Sequence, residues 1–457
     1  MPFEKQKGQQ LHSQLHPLYE KKAETFIKFH APVNYRDTWQ IFRIMSEFVS
    51  GYQFLGELSK TATIFGSARS QEDSFAYKEA RECGQFLGKQ GFSIITGGGP
   101  GVMEAANRGA KEAGVDSIGL SIQLPEEQII NEYVTKNVGF FYFFIRKVML
   151  VSPAEAGIFF PGGYGTLDEI FEMWDLIDLG KIKKIPMIAV GKDFWEPLAE
   201  FLKAGPLGEI GAISQENLNN LQIVNTAEEA AEIVRNSKVH KSLCNPTEED
   251  CGQMMNWRIF RIMAELVDGF EFLTQEVRGD ITFLGTKNLT LESPYYQAAE
   301  EIAYDMGKRG FMAITGGGFG IMEAANKGAV RAGAPSYGFS MKFDGKNNLN
   351  QYTTKSLSFS FPFIRKMILT VPSKAFIIFP GGLGTLHNLF EVLTLMKTKK
   401  IQEMPVILFG KKFWSLLDKY IKETLLKKYN TISPEYTEFY KIVDSVEEAE
   451  AILAKIQ

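Results

Sequence analysis

The sequence has little cysteine, no excess of either charge and no long apolar run, and each shortage removes a class of function. Three cysteines in 457 residues, Cys83, Cys244 and Cys251, are too few and too scattered for a disulfide framework or a zinc site. Lys and Arg total 50 against 54 Asp and Glu, a formal net charge of -4. Without a basic run, neither nucleic acid nor an anionic membrane surface is the expected partner. The opening MPFEKQKGQQLHSQLH lacks the apolar core of a signal peptide, and no run of 18 apolar residues follows. A soluble, cytoplasmic protein is the expectation. His12 and His16 stand at i, i+4 spacing but have no acidic neighbour to suggest a metal, and no metal site is expected. What is present is globular composition, 45% hydrophobic and 23% charged, at a length that suits two or three domains.

The chain is written twice. ITGGGPGVMEAANRGAKEAG from Ile95 recurs as ITGGGFGIMEAANKGAVRAG from Ile314, identical at 15 of 20 positions. FFIRKVML around Arg146 recurs around Arg365, and PGGYGTLDE from Pro161 recurs as PGGLGTLHN from Pro380, both at an offset of 219. Upstream, WQIFRIMSEFVSGYQFL from Trp39 matches WRIFRIMAELVDGFEFL from Trp257 at an offset of 218. A period this long is a duplicated domain rather than a solenoid repeat. The expected organisation is a polar arm over residues 1–33, a first domain over 34–237, a linker over 238–252 containing Pro246, and a second domain over 253–457.

Within the first copy, ATIFG from Ala62, FSIIT from Phe92, SIGLSI from Ser117, AGIFF from Ala156 and PMIAV from Pro186 read as buried strands separated by helical patterns. Such alternation predicts right-handed βαβ units. Trp39, Phe42, Met45 and Phe48-Val49 mark an amphipathic helix ahead of them. The fold class expected is α/β: two tandem Rossmann-like domains, each a mostly parallel sheet flanked by helices.

In an open parallel sheet, ligands bind beyond the carboxyl ends of the strands. Two glycine-rich segments fall there, Gly97-Gly98-Gly99-Pro100-Gly101 and Pro161-Gly162-Gly163-Tyr164-Gly165-Thr166, each opening a helix. Close backbone approach and helix amino ends suit a phosphate. The dinucleotide fingerprint is not met, because Glu104 stands where its third glycine belongs, and a Walker lysine is missing. Gly66, Ser67 and Arg69, after the first strand, are further candidates for holding a nucleotide, although Ser67 and Arg69 read equally well as solvated turn residues.

The triglycine-to-helix segment, the Arg146-Lys147 pair and PGGYGTLDE resemble the LONELY GUY family of cytokinin-activating phosphoribohydrolases, often labelled "lysine decarboxylase-like". The resemblance covers nearly the whole of each copy. It implies hydrolysis of the N-glycosidic bond of a nucleoside 5′-monophosphate to free base and ribose 5-phosphate, with a cytokinin riboside monophosphate among the candidate substrates. It also implies Arg146 and Glu169 as the catalytic pair. The substrate-binding set is Gly66, Ser67, Arg69, Gly98, Gly99, Gly101, Glu104, Lys147, Gly162, Gly163, Gly165 and Thr166. No cofactor is implied. The family commonly has two glutamates where this chain has Asp168-Glu169, and a histidine where it has Phe144. A non-catalytic nucleotide or molybdenum-cofactor carrier is the alternative from a different class. Decarboxylation of lysine is disfavoured, because no lysine sits in a recognisable cofactor-binding context.

Glycosidic cleavage builds oxocarbenium character on the sugar, which a carboxylate can offset while it handles water. Glu169 is expected in the first turn of a helix, ionised, and suited to base or electrostatic duty. Arg146 stays charged and clamps the carboxylate or polarises the leaving group. The competing reading of Thr166-Leu167-Asp168-Glu169 is a capping box with no catalytic meaning. Phe140, Phe141, Tyr142, Phe143 and Phe144 read either as a stacking platform for a base or as inter-domain packing. In the second copy, Glu169 becomes Asn388 and Asp168 becomes His387, while Gly317, Gly318, Arg365, Gly381, Gly382, Gly384 and Thr385 remain. That copy is expected to bind nucleotide without hydrolysing it. His387 reads as a substitute base or, more simply, as a structural residue. Because the family forms homodimers, the two copies are expected to pair within the chain as a pseudo-twofold unit; further homo-oligomers through other surfaces stay open.

Overall fold

The computed structural model describes residues 35–58, 60–122, 130–237, 249–276, 280–342 and 349–456. The polar arm lies outside them. The first half runs α1 (Tyr35–Gly56), β1 (Thr61–Phe65), α2 (Phe75–Lys89), β2 (Ser93–Thr96), α3 (Val102–Glu112), β3 (Ser117–Ile122), β4 (Lys136–Phe140), α4 (Phe143–Val151), β5 (Ala156–Phe159), α5 (Tyr164–Asp178), β6 (Met187–Val190), α6 (Lys192–Leu202), α7 (Gln215–Asn219), β7 (Leu221–Val224) and α8 (Ala227–Asn236). The second half repeats it: α9 (Glu249–Glu276), β8 (Asp280–Leu284), α10 (Pro294–Lys308), β9 (Ala313–Thr315), α11 (Ile321–Arg331), β10 (Ser336–Met341), β11 (Lys355–Phe359), α12 (Pro362–Thr370), β12 (Ser373–Ile378), α13 (Leu383–Lys397), β13 (Val406–Phe409), α14 (Lys411–Lys419), β14 (Lys441–Val443) and α15 (Val446–Leu453). α9 begins inside the span expected as linker, since nothing after Pro246 breaks a helix.

Each half holds a seven-stranded parallel sheet, ordered β4-β3-β2-β1-β5-β6-β7 and β11-β10-β9-β8-β12-β13-β14. The five strands expected in the first copy are present. The two that the sequence hid, β4 and β7, are the sheet edges, where only every second residue or fewer is buried and no apolar run forms. The order reverses between β1 and β5, and a ligand crevice opens at such a switch point.

Each sheet has an outer face with its own core, around Ile64, Ala80 and Ile94 in one half and Ile281, Ile302 and Ile377 in the other. The inner faces share one continuous core. α5 and α13 pack on each other at its centre. Contacts come in pseudo-twofold pairs, as an isologous interface requires. Phe194 meets Tyr420 edge-on at 5.8 Å, and the equivalent Phe413 meets Phe201 at 5.4 Å. On α1 the buried face is Ile44, Phe48, Tyr52 and Leu55. Phe42, expected on that face, is exposed, because the stripe that meets the other half is turned from it by about one residue. Among the described residues no helix is long and apolar enough to cross a membrane.

Candidate active site

The turns after β1 and β5 meet at the switch point. The Ser67 amide donates to Pro161 O at 3.0 Å, and Ser67 O accepts from the Val102 amide at 3.0 Å, which brings the start of α3 to the same place. A β-carbon on Gly66 would collide with Val102, so this glycine lets α3 close on the strand. The Ser67 hydroxyl accepts from the Arg69 amide at 3.1 Å and holds the turn. Arg69 leaves the turn altogether and donates to Ser433 Oγ of the second half at 2.7 Å.

Arg146 is fixed by a bond from Nε to Leu120 O at 2.7 Å. Its guanidinium packs against Gly97, where any β-carbon would overlap Nη2. Gly97 was not singled out as a site residue, and its purpose becomes visible only when the arginine is placed. Gly101 takes φ 71°, and a side chain there would strike the backbone of Ser67 and Ala68. Gly98 and Gly99 offer their carbonyls to Asn131 Nδ2 at 3.0 and 2.9 Å. The glycine run therefore has structural duties beyond a phosphate, and Asn131, unnoticed in the sequence, organises it. Glu104 accepts from the Tyr77 hydroxyl at 2.9 Å.

α5 starts earlier on its glycines than the Thr-x-x-Glu pattern suggested. Gly163 is the N-cap, and the Thr166 amide donates to Gly163 O at 3.0 Å. No side chain caps this helix, so the capping box does not form. Thr166 instead folds back over Gly162. Glu169 consequently sits in the second turn, beyond the reach of the unpaired amides. Burial raises its carboxyl well above the ordinary range, with Glu172 and Asp168 adding to the effect and Lys147 and Arg146 opposing it. Its surroundings thus oppose the ionised form that a place at the helix end was expected to favour. Its Oε2 is buried without a hydrogen-bond partner. Arg146 is the guanidinium that feels the Glu169 charge, while its own burial pulls it below the usual value.

Lys147 points elsewhere. Its ammonium donates to Asp168 Oδ1 at 2.7 Å and reaches Glu172 Oε2 at 3.3 Å and His387 Nε2 at 3.5 Å. Burial would lower it, but Asp168 and Glu172 hold it well above its ordinary value. Asp168 is pushed up to about 7 by burial, with Lys147 opposing. On the other side of the pseudo-twofold axis Lys366 bonds His387 Nδ1. His387, buried between the two lysines, is held well below its usual value by burial and by both ammonium groups. These side chains form an ionic knot where α4 and α5 meet α12 and α13, and His387 is part of it. Phe144 stacks on its equivalent Phe363 at 5.8 Å, and Phe48 packs on Phe363 at 5.5 Å. Packing between halves is thus the use of that part of the aromatic run.

The sequence profile of a family described as "Possible lysine decarboxylase" matches residues 103–234 and again 322–453, more than half of the chain. The chain belongs to this family. Among curated relatives of this family member, the pyrimidine/purine nucleotide 5′-monophosphate nucleosidase of Escherichia coli (strain K12) is 26% identical over 239 residues, 48% of this chain and 49% of that protein. The chain thus spans about half the length of that relative. The cytokinin riboside 5′-monophosphate phosphoribohydrolase LOG of Oryza sativa subsp. japonica is 31% identical over 140 residues, 30% of this chain and 57% of that one. A solved molybdenum cofactor binding protein from Rippkaea orientalis is 20% identical, with a TM-score of 0.31 over 39% of this chain and 98% of that chain.

The second half of this family member repeats the geometry. Arg365 Nε donates to Phe339 O at 2.6 Å, and Gly316 seats its guanidinium as Gly97 seats that of Arg146. Gly317 takes φ 72°, and the Gly317 and Gly318 carbonyls accept from Asn350 at 3.0 and 2.8 Å. Gly381 carries Thr385 folded over it, and Gly382 is the N-cap of α13. Gly163 and Gly382 each face backbone of the opposite half, Thr431 and Ala212, so that a β-carbon would crowd the interface.

Proposed function

We propose that the first half hydrolyses the N-glycosidic bond of a nucleoside 5′-monophosphate, giving the free base and ribose 5-phosphate. The observation that carries this reading is Glu169 Oε2, buried and unpaired beside a fixed Arg146 at the switch point of the sheet. A buried carboxyl left without a partner is costly, and such groups mark places where a ligand completes the bonding. A pure carrier, the alternative, has no use for a carboxyl held in this form. The names of the relatives support the same reaction.

The chemistry follows from the raised carboxyl. Protonated Glu169 donates its proton to the departing base as the C1′–N bond breaks and the bonding electrons leave with the base. The carboxylate so formed faces the developing ribosyl cation and offsets it. Water then adds at C1′, and its proton returns to Glu169, so the group ends as it began. Arg146 stays charged throughout and steadies the carboxylate when it forms. The turns at Ser67, Gly99 and Gly162–Thr166 hold the 5′-phosphate, where close backbone and helix amino ends favour an anion.

The test is incubation with a panel of nucleoside 5′-monophosphates and their nucleosides, reading release of ribose 5-phosphate and of ribose. Cleavage of the monophosphates with little or none of the nucleosides is expected. The panel also resolves the base, cytokinin ribosides included. Equal turnover of AMP and adenosine removes the phosphate cradle from the proposal.

A further inference from the structure

The two halves differ in what stands at the glycine turn that opens the central helix. In the first half that turn faces open space: a β-carbon on Gly165 would meet nothing within 4 Å. In the second half the same point, above Gly384, lies 3.1 Å from Asp175 Oδ1. Asp175 belongs to α5 of the first half and crosses the interface. Its Oδ2 stands 3.5 Å from His387 Nδ1 and 4.0 Å from Lys366 Nζ. It is also the carboxylate whose charge acts on Arg365; burial raises its carboxyl, and Lys366 and Arg365 oppose that rise and favour the ionised form.

The asymmetry has a chemical origin in the sequence. In the second half both carboxylates of the motif are gone, replaced by His387 and Asn388, which leaves Arg365 and Lys366 without an acid from those positions. Asp175 supplies one to Arg365 from the opposite helix, and Lys366 feels it together with Glu391 of its own half. The equivalent residue on α13 is Thr394 (394 − 175 = 219), a neutral side chain whose buried Oγ1 has no hydrogen-bond partner. A carboxylate buried at a glycine turn takes the positive charge a phosphate would use and meets an incoming phosphate as a like charge.

We propose that Asp175 of the first half seals the glycine turn of the second half against phosphate, so that one chain carries a single open nucleotide site. This rests on the nucleotide reading above for the nature of the ligand, and it replaces the expectation that the second copy binds.

The test is the number of AMP molecules bound per chain, measured by calorimetry on the full chain carrying Glu169→Gln to suppress turnover. One is expected, and two overturns the seal without any change at Asp175. In the same background, Asp175→Thr, which copies the first-half arrangement, should raise the number to two, and adding Arg365→Ala should return it to one. Asp175→Asn, which keeps the shape and removes the charge, is the companion variant should the threonine fail to fold. A folded Asp175→Thr or Asp175→Asn chain, with Arg365 intact, that still binds one AMP overturns the proposal. Binding of none by the Glu169→Gln chain marks failure of the nucleotide reading itself, and the seal falls with it.

Discussion

Phe171 and Phe390 occupy equivalent positions in the two halves and stack on each other, ring centroids 5.5 Å apart and planes 1° from parallel. Equivalent residues can touch in this way only on a twofold axis, so the axis relating the halves passes between these rings. Around it lie Phe144 on Phe363 and the ionic knot of Lys147, Asp168, His387, Lys366 and Asp175. The two glycine turns flank this axis, and each helix end that forms one half's turn is packed by the other half.

Glu169→Gln should reduce cleavage of a nucleoside monophosphate by at least about 100-fold, the scale of a lost general acid. Affinity for the nucleotide should change little. Ribose 5-phosphate release and calorimetric binding, measured together, check this. An active variant removes Glu169 from the chemistry.

The raised Glu169 carboxyl gives the pH profile a sign. Its proton is kept to higher pH than an ordinary carboxyl's, and the proposed reaction uses the acid form. kcat/KM should therefore fall as pH rises through that raised value and hold level below it. A profile that instead rises with pH through the ordinary carboxylate range assigns the ionised form to the chemistry.

Lys147→Ala should act on stability more than on substrate. Removing one partner leaves Asp168 and Glu172 buried without their cation, at a cost of about 3–5 kcal/mol. Denaturant unfolding should show this loss. A large rise in KM at nearly unchanged stability returns Lys147 to the substrate.

Asp280 is buried at the start of β8 where the first half has Thr61, whose hydroxyl bonds Pro153 O. Burial pushes the Asp280 carboxyl up to about 7. A raised folded value favours the fold below the unfolded carboxylate range and withdraws that support as pH climbs towards 7. Asp280→Thr should therefore stabilise the chain at pH 8 by about 2–4 kcal/mol and change it far less at pH 4. Thermal unfolding of both proteins at the two pH values measures the difference.

Asn388→Glu alone should leave turnover per chain unchanged, because the restored carboxylate would sit in a site that Asp175 still occupies. A doubling of kcat per chain contradicts the sealed second site.

The sequence by itself determined the duplication and the parallel α/β class, and its motifs nominated Arg146 and Glu169 as candidates for the chemistry. Those follow from identity at a fixed offset, from apolar runs at strand length and from a motif, all of which are local in the chain. Edge strands β4 and β7 escaped because half-exposed segments carry no apolar run. What only tertiary structure decided is the state and company of the charged groups. Thr166 and Glu169 spell a capping box, but the chain enters α5 at Gly163, because Thr431 and Ile432 of the other half leave room there for no side chain. That shift moves Glu169 off the helix end, and burial then raises its carboxyl. Asp175 looks like an ordinary helix-surface acid in the sequence. It comes to lie in the second half because packing across a twofold axis brings α5 to Gly384, Lys366 and Arg365, residues about 190 to 210 positions away in the chain. Burial and cross-axis distance have no local signature, so neither can be read from residue type and spacing.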